Sequence, residues 1–584
     1  MASEMQNVKV IAISPGIAIG RVLRIQRNSR LAEPKKRMIP DDRIDEEIAR
    51  FHAARETTKK QLAELRSRVE TDLSSDESGI FDAHILLVDD KTMISDIEKR
   101  IRDDKVCAEY ALYRSTEHFI GVFAAIPDAY LQERAGDLRD VSGRLMANLS
   151  EEEFSRPGID DRRIIVADTL TPSETVQLDC SKVLGFAVAS GSATSHAAIL
   201  ARSMRLPAVS GLPGELLEKL RSNDMLIIDG VAGRLIVNPD ARTEEAYRLK
   251  AAAAGKLIDE LERENELTSE TTDGFKVELA ANIDSAEQFE EARKAGAYGV
   301  GLFRTEFLFM TPGALPGEEE QFQIYKKLLL AAGDRPVTVR TLDIGADKLS
   351  SKVYRSGEVN PALGLRGIRL CLYERRDLFE TQLRALYRAA VFGNLRIMLP
   401  MVSSVREVIE TRELIRAVQN RLADEGLDFG SRTQLGAMVE TPAAALEAGE
   451  LAGYVDFFSI GTNDLVQYTM AIDRLNERVS YLNRAAAPAV LRLIHSCIES
   501  AENRGIPVTV CGQMAADPAL ALLLVGMGVH ELSMASPALP LVRRAIRSVS
   551  LFEAENLAAL KDYDAAVALI KDCMADFGSH ETTL

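Results

Sequence analysis

Eight short β-type runs recur at regular intervals through the second half of the chain, and no other feature restricts the fold as tightly. They are Val277–Asn282, Gly299–Phe303, Val337–Thr341, Arg396–Met401, Leu435–Val439, Phe457–Gly461, Val508–Cys511 and Glu531–Met534. Amphipathic helical stretches separate most of them. Eight strand-plus-helix units over about 300 residues point to a closed (β/α)8 TIM barrel, with an open doubly wound sheet as the alternative on pattern alone. The polar residues favour the barrel. Arg304-Thr305-Glu306, Arg340 with Asp343, Glu440, Asn463-Asp464 and Cys511 all stand at or just past the C-terminal end of a run. One charged residue after a strand is ordinary loop chemistry. Five units doing it imply a shared pocket, because in a barrel those ends converge on one mouth.

At 584 residues the chain is too long for a single ordinary core, and about two to four domains are expected. Val8–Ile13 is a strand-like run closed by the turn signal Ser14-Pro15-Gly16. From Asp41 to Ser150 the pattern becomes helical, with Ile44, Ile48, Phe51 and then Leu62, Leu65 at three- and four-residue spacing. A bundle of two long helical hairpins is expected there. Ile164–Ala167, Val183–Ala189, Met225–Asp229 and Arg234–Val237 then read as strands of a compact α/β domain. Val8–Ile13 supplies it with a further strand, which makes the bundle an insertion. Thr243–Glu266, rich in Ala, Glu, Lys and Leu, reads as a linker helix. The expected fold class is therefore α/β: an α/β domain (1–30 and 151–240) with an inserted helical bundle (31–150), a linker (241–270) and a C-terminal TIM barrel (271–584).

A net charge of -17 argues against a nucleic-acid partner, which would require a basic face. The six cysteines are scattered without a Cys-x-x-Cys pair, a usage that favours reduced thiols and a cytoplasmic setting. No apolar run approaches the roughly 18 residues of a membrane span, and Val8–Ile13 is too short and too lightly flanked for a signal peptide.

The mouth residues define a chemistry. Glu440 and Asp464 follow adjacent strands, and Mg²⁺ typically takes one or two protein carboxylates with water and substrate phosphate oxygens for the rest. Arg304, Arg340, Arg366 and Arg474 come from neighbouring units, and guanidinium forks match both the carboxylate and the phosphate of a small phosphorylated acid. The competing reading makes these arginines structural partners of Asp343, Asp347 and Asp473. Neither a Walker A loop nor a G-x-G-x-x-G after a strand is present, so a nucleotide held in such a site is not the expected phosphoryl donor. In the α/β domain, Gly191-Ser192-Ala193-Thr194-Ser195-His196 follows a strand and precedes the amphipathic run Ala197–Leu206. His196 falls in the first turn of that helix, where the dipole disfavours an imidazolium and favours a phosphate on the ring. Histidine is an accepted covalent nucleophile. Taken alone, a histidine at a helix start is more often a capping or packing residue.

With these residues in hand, the chain resembles the enzyme I family of the bacterial phosphotransferase system, the phosphoenolpyruvate–protein phosphotransferases. The resemblance runs in order through Ser14-Pro15-Gly16-Ile17-Ala18-Ile19-Gly20, Asp168-Thr169-Leu170-Thr171-Pro172-Ser173-Glu174 and Thr194-Ser195-His196. It continues through Phe303–Met310, Arg340–Gly345, Asn360–Arg366, Met438–Ala443 and Ser459–Leu465. It implies that phosphoenolpyruvate binds at the barrel mouth on Arg304, Arg340, Arg366 and Arg474, assisted by Asn463 and Lys348. It implies Mg²⁺ on Glu440 and Asp464, phosphorylation of His196, and Cys511 as the group that protonates the enolate. The phosphoryl group then passes to the carrier protein HPr or a close relative, docked on the bundle near Asp76, Asp82, His84, Leu86 and Arg134. A homodimer through the barrel and a swivelling phosphohistidine domain complete what the resemblance implies.

Two departures accompany it. Ser192 and Ala193 stand where the family usually has Gly and Arg or Thr, and Gln513 stands where Glu is common. Three rivals share features: a nitrogen-related paralogue lacking its sensory domain, a pyruvate phosphate dikinase or phosphoenolpyruvate synthase, and a non-catalytic scaffold. The dikinase and synthase need an ATP-binding domain, for which the helical segment ahead of residue 151 is a poor match.

Overall fold

The computed structural model describes residues 5–25, 33–72, 81, 84–124, 129–150, 161–170, 178–189, 201, 206–310, 315–345, 360–474, 476–560 and 568. They fall into two compact units divided between Lys256 and Leu257.

In the first unit, eight strands form one sheet: β1 (Gln6–Lys9), β2 (Ile11–Ser14), β3 (Ile17–Arg24), β4 (Arg163–Ala167), β5 (Val183–Val188), β6 (Ala208–Ser210), β7 (Met225–Asp229) and β8 (Arg234–Val237). Their order is β1-β8-β7-β3-β4-β5-β6-β2. Side chains of β4 alternate between two cores: Ile164 and Val166 pack into one, Ile165 and Ala167 into the other. A strand buried on both faces explains why its sequence is an unbroken apolar run. The expected strand Val8–Ile13 is in fact two strands. Val10 leaves the ladder to donate its N–H to the Gly233 carbonyl, and the chain continues from one edge of the sheet, on β8, to the other edge, on β6.

The helical insert contains α1 (Ile44–Asp72), α2 (Lys91–Asp103), α3 (Ala108–Ala124) and α4 (Ala129–Leu149). In α2, Asp90 caps the start by accepting the Met93 N–H at 2.8 Å. Met93, Ile97 and Ile101, four residues apart on one face, are the buried set. They join Ile48, Phe51, Leu112, Leu138 and Leu145 in one core. The helix expected at Thr243–Glu266 runs as α5 from Ala241 to Arg263, its start set by Asp240 accepting the Thr243 N–H.

The second unit is a closed barrel of parallel strands: β9 (Glu278–Ile283), β10 (Val300–Phe303), β11 (Pro336–Arg340), β12 (Asn394–Leu399), β13 (Gln434–Val439), β14 (Phe457–Gly461), β15 (Val508–Cys511) and β16 (Glu531–Met534). Every strand pairs with its sequence neighbour, and β16 returns to β9 through Glu531–Glu278 to Met534–Ala281. These are the eight runs read from the sequence, with ends displaced by at most two residues. Near the C-terminal rim, threonine hydroxyls tie one unit to the next. Thr305 donates to the Arg340 carbonyl at 3.0 Å, Thr441 to Val402 at 2.8 Å and Thr462 to Cys511 at 2.9 Å. The Arg340 and Cys511 carbonyls stand at strand ends and that of Val402 three residues past one, where the ladder no longer satisfies them. The segments that carry the mouth residues are thereby held to the barrel wall.

Packing inside the barrel leaves no room at Gly436 on β13. A Cβ there would lie 2.3 Å from two ring carbons of Phe457, itself buried on β14. Overpacking of this kind costs ~1–3 kcal/mol. Gly436→Ala is therefore expected to lower the thermal unfolding midpoint of the barrel unit, as measured by calorimetry.

Candidate active site

Five of the eight strand ends deliver functional groups to the same mouth. Arg304 follows β10, Arg340 is the last residue of β11, Glu440 follows β13, and Cys511 ends β15. Asn463 and Asp464 lie in the first turn of α6 (Thr462–Thr469), which starts directly off β14. Asp343 and Arg366 come from the segments after β11, joined by a bridge between Gly345 and Arg366. All of them, with Arg474, line one cavity of about 860 Å³.

The charges form a lattice centred on Asp343. Its carboxylate accepts a two-pronged contact from Arg366, Nε to Oδ1 at 2.9 Å and Nη2 to Oδ2 at 2.9 Å. The same carboxylate pairs with Arg340 Nη1 at 2.9 Å. Arg340 Nη2 also donates to Glu306 at 2.8 Å. Arg366 reaches further, to both oxygens of Asp464 at 3.2 and 3.3 Å and to the Tyr468 hydroxyl at 3.0 Å. Arg474 stands 3.8 Å from Asp464, and Arg304 donates to Asp284 at 3.2 Å across a half-exposed pair. Asp343 is thus a structural partner of both Arg340 and Arg366, and both arginines also line the cavity, so the structural and anion-binding readings coexist.

Electrostatics divides these groups. Burial works against the charge on Arg340 and Arg366 but is outweighed by Asp343 with Glu306 for the first and with Asp464 for the second, so both stay cationic. Burial also pushes against the Asp464 carboxylate, and there Arg366, Arg474 and Arg340 prevail, holding it below its usual range. Glu440 is the exception. Burial, then repulsion from Asp343 and Asp464, raises its carboxyl well above the usual range despite Arg340 and Arg366. Its Oε1 accepts the Met401 N–H at 2.7 Å, which fixes the carboxyl in place. Gly461 makes room for it, since a Cβ there would come within 2.8 Å of Glu440 Oε2.

Cys511 is buried at the cavity floor beside Leu302, Met398, Met438 and Phe457. Its Sγ lies 3.5 Å from the Ile460 carbonyl and accepts from the Ser459 hydroxyl at 3.6 Å. Burial pushes the thiol up to about 11, partly offset by the Ser459 hydrogen bond. At neutral pH it is therefore a thiol with a proton to give, and not a nucleophile. Gln513 is exposed, and its N–H donates to Asn463 Oδ1 at 3.1 Å, so the Asn463 side chain is oriented by backbone.

Comparison with known proteins decides the family. A family model for the PEP-binding domain of PEP-utilising enzymes matches residues 258–551, which contain every mouth residue. Models for the N-terminal and mobile domains of the same enzymes match residues 9–134 and 159–233. The phosphoenolpyruvate-protein phosphotransferase of Bacillus sp. (strain S) is 41% identical over 571 residues, 97% of this chain and 98% of that protein. Those of Staphylococcus aureus and Priestia megaterium are 41% and 42% identical, covering 94% and 95% of this chain and 96% of each of those proteins. The chain belongs to the phosphoenolpyruvate-protein phosphotransferases. It is an enzyme of that family.

Other expected residues of the phosphotransferase are placed less uniformly. His196, with its neighbours Ser192 and Ala193, lies outside the described residues, as do Lys348, Asp76 and Asp82. Leu86 is 72% exposed on the bundle. His84 corrects an expectation: its ring is fully buried, 3.4 Å from Asp137 and edge-on to Phe81, so it presents no contact surface to a docking protein. Its helical segment, 84–88, turns the ring into the core while Leu86 faces out. Arg134 is on α4. Sequence reasoning placed Glu306 and Asp343 at the mouth, Asp343 as a possible partner of the arginines, without a substrate or metal role for either, and did not single out Tyr468. The signal for the first two was their place beside Arg304 and Arg340 in the rim segments; Tyr468, one turn along α6 from Asp464, carried none.

The raised thiol predicts slow alkylation. With iodoacetamide at pH 8, peptide mapping should find Cys511 modified at least ~10-fold more slowly than a free cysteine, with the rate climbing as pH approaches 11. Rapid labelling at pH 8 would contradict a protonated, buried thiol.

Proposed function

We propose that this phosphotransferase moves the phosphoryl group of phosphoenolpyruvate onto a ring nitrogen of His196 and then to a histidine of the carrier HPr or a close relative, releasing pyruvate. The observation that carries the proposal is the convergence of Arg366 and Arg474 on Asp464, and of Arg340 and Arg366 on Asp343, beside buried Glu440 in one cavity.

Phosphoryl transfer asks the protein for position and charge neutralisation. Arg304, Arg340, Arg366 and Arg474 supply both, with Asn463 and Lys348 assisting, and the Asp343 anchor keeps two of the forks from turning. The bond between phosphorus and the enol oxygen breaks as one forms to the imidazole nitrogen, and enolpyruvate is left in the cavity. Cys511 Sγ–H then gives its proton to C3, and the enolate becomes pyruvate.

Glu440 and Asp464 fit Mg²⁺ on the evidence of their own repulsion, which a divalent cation beside them relieves. Among the described residues no cluster of three or more His, Cys, Asp or Glu has metal-holding geometry, so the site relies on two carboxylates, water and substrate oxygens. When bound, the ion neutralises phosphate charge. We further propose that the carrier docks on the bundle near Leu86 and Arg134, with Asp76 and Asp82 nearby. The enzyme acts in the cytoplasm as a homodimer through the barrel. The described residues include no helix long and apolar enough to cross a membrane.

Incubation with ³²P-labelled phosphoenolpyruvate and Mg²⁺ tests the reading. Wild type should acquire acid-labile label and pass it to purified HPr; His196→Ala should acquire none, and label on that variant would sink the assignment. Arg366→Lys keeps the charge but loses the two-pronged contact, a loss of about 1.5–3 kcal/mol. Steady-state kinetics should show kcat/KM for phosphoenolpyruvate falling roughly 10–100-fold.

A further inference from the structure

The proton donor has a partner one layer deeper in the barrel. Cys511 pairs in register with Gly461, while Ser459, two residues earlier on β14, pairs with Thr509. Residues two apart on a strand share a face. Gly461 and Cys511 both line the cavity, and the space a side chain at 461 would take is filled by Glu440 and Met438. Ser459 is 1% exposed, and its hydroxyl donates to Cys511 Sγ at 3.6 Å.

That contact is a poor bargain for a resting enzyme. Taking a hydroxyl out of water costs about 1–3 kcal/mol unless a good acceptor replaces the water, and the sulfur of a neutral thiol is a weak acceptor. A thiolate is a strong one, because hydrogen bonds to charged groups are worth about twice as much. The arrangement suits Cys511 after it has lost its proton better than before. Around the sulfur, Leu302, Met398, Met438 and Phe457 donate no hydrogen bond. The charged groups that act on it from the cavity are Glu440, which opposes a thiolate, and Arg340 and Arg304, which favour one. The Ile460 carbonyl, 3.5 Å away, can only accept and repels a thiolate.

We propose that Ser459 is a positioning residue for the proton-transfer half of the reaction, holding the Cys511 thiolate that forms when enolpyruvate becomes pyruvate. This rests on the role of Cys511 given above. The S–H bond breaks and a C3–H bond forms; the C2–C3 π pair becomes the new C–H bond while the enolate oxygen becomes the ketone. The sulfur keeps its electron pair, accepts the Ser459 O–H hydrogen bond, and regains a proton from water. In the reverse direction the same thiolate takes a proton from the methyl group of pyruvate. An interaction made more strongly after transfer than before accelerates that step and leaves substrate binding alone.

The test separates the two halves of the cycle in the full-length enzyme. Single-turnover labelling of His196 by phosphoenolpyruvate needs phosphoryl transfer only. Exchange of ¹⁴C-pyruvate into phosphoenolpyruvate needs proton transfer as well. Ser459→Ala should label His196 within about 2-fold of wild type, while the exchange falls by ~10–100-fold and its half-maximal pH moves upward. Unchanged exchange, or equal loss of labelling and exchange, would overturn the inference in favour of a packing role. Cys511→Ala distinguishes the failures. If it abolishes exchange while Ser459→Ala does not, the serine assignment alone is wrong. If it leaves exchange intact, the proton donor itself was misassigned.

Discussion

The site depends on one carboxylate, Asp343, and on what it does to two arginines. Its side chain is 1% exposed and is shared by Arg340 and Arg366. A guanidinium on a flexible stem, facing an anion pocket from a loop, would scatter over many rotamers. With its back edge held by Asp343, each fork has one orientation. Buried ions are costly unless paired and hydrogen-bonded on several sides. Here Glu306, Asp464 and Tyr468 supply the remaining contacts, which turns isolated charges into a lattice with a defined opening.

A lattice of that kind requires strand ends fixed to within a fraction of an ångström, and barrel closure supplies this. Eight parallel strands with no free edge leave little freedom for register to slip. The threonine ties at 305, 441 and 462 carry that rigidity past the last ladder bonds to the residues that act. The cavity holds opposed demands as a result. Two arginines stay charged, Asp464 stays ionised, and Glu440, caught between burial and like charge, is the group that gains most from an incoming cation. Cys511 at the floor faces the opposite environment, an apolar one that keeps its proton on.

Much of the architecture was legible in the sequence because parallel strands buried on both faces are continuous apolar runs. That is why the eight barrel strands could be located to within two residues, and why polar residues at their C-terminal ends stood out. Where the signal failed, the physics differed. β6 has three residues and no room for a pattern, and Val8–Ile13 looks like one strand because nothing in its composition records that its halves pair with opposite edges. His84 resembles the polar residues near it in the sequence, yet its helix turns the ring inward and leaves Leu86 exposed.

The amino-acid order alone determined the barrel, the arginines and carboxylates at its mouth, and the histidine segment expected to meet them, since each is written in local periodicity or in residue type at a strand end. Only the tertiary structure decided which carboxylate anchors which arginine, that Glu440 is buried against like charge, and that a serine stands behind the thiol. Those relations join residues as far apart as 366 and 464, or 459 and 511, brought together by the closed barrel. Contacts between distant segments depend on register and closure, and no window of sequence contains them.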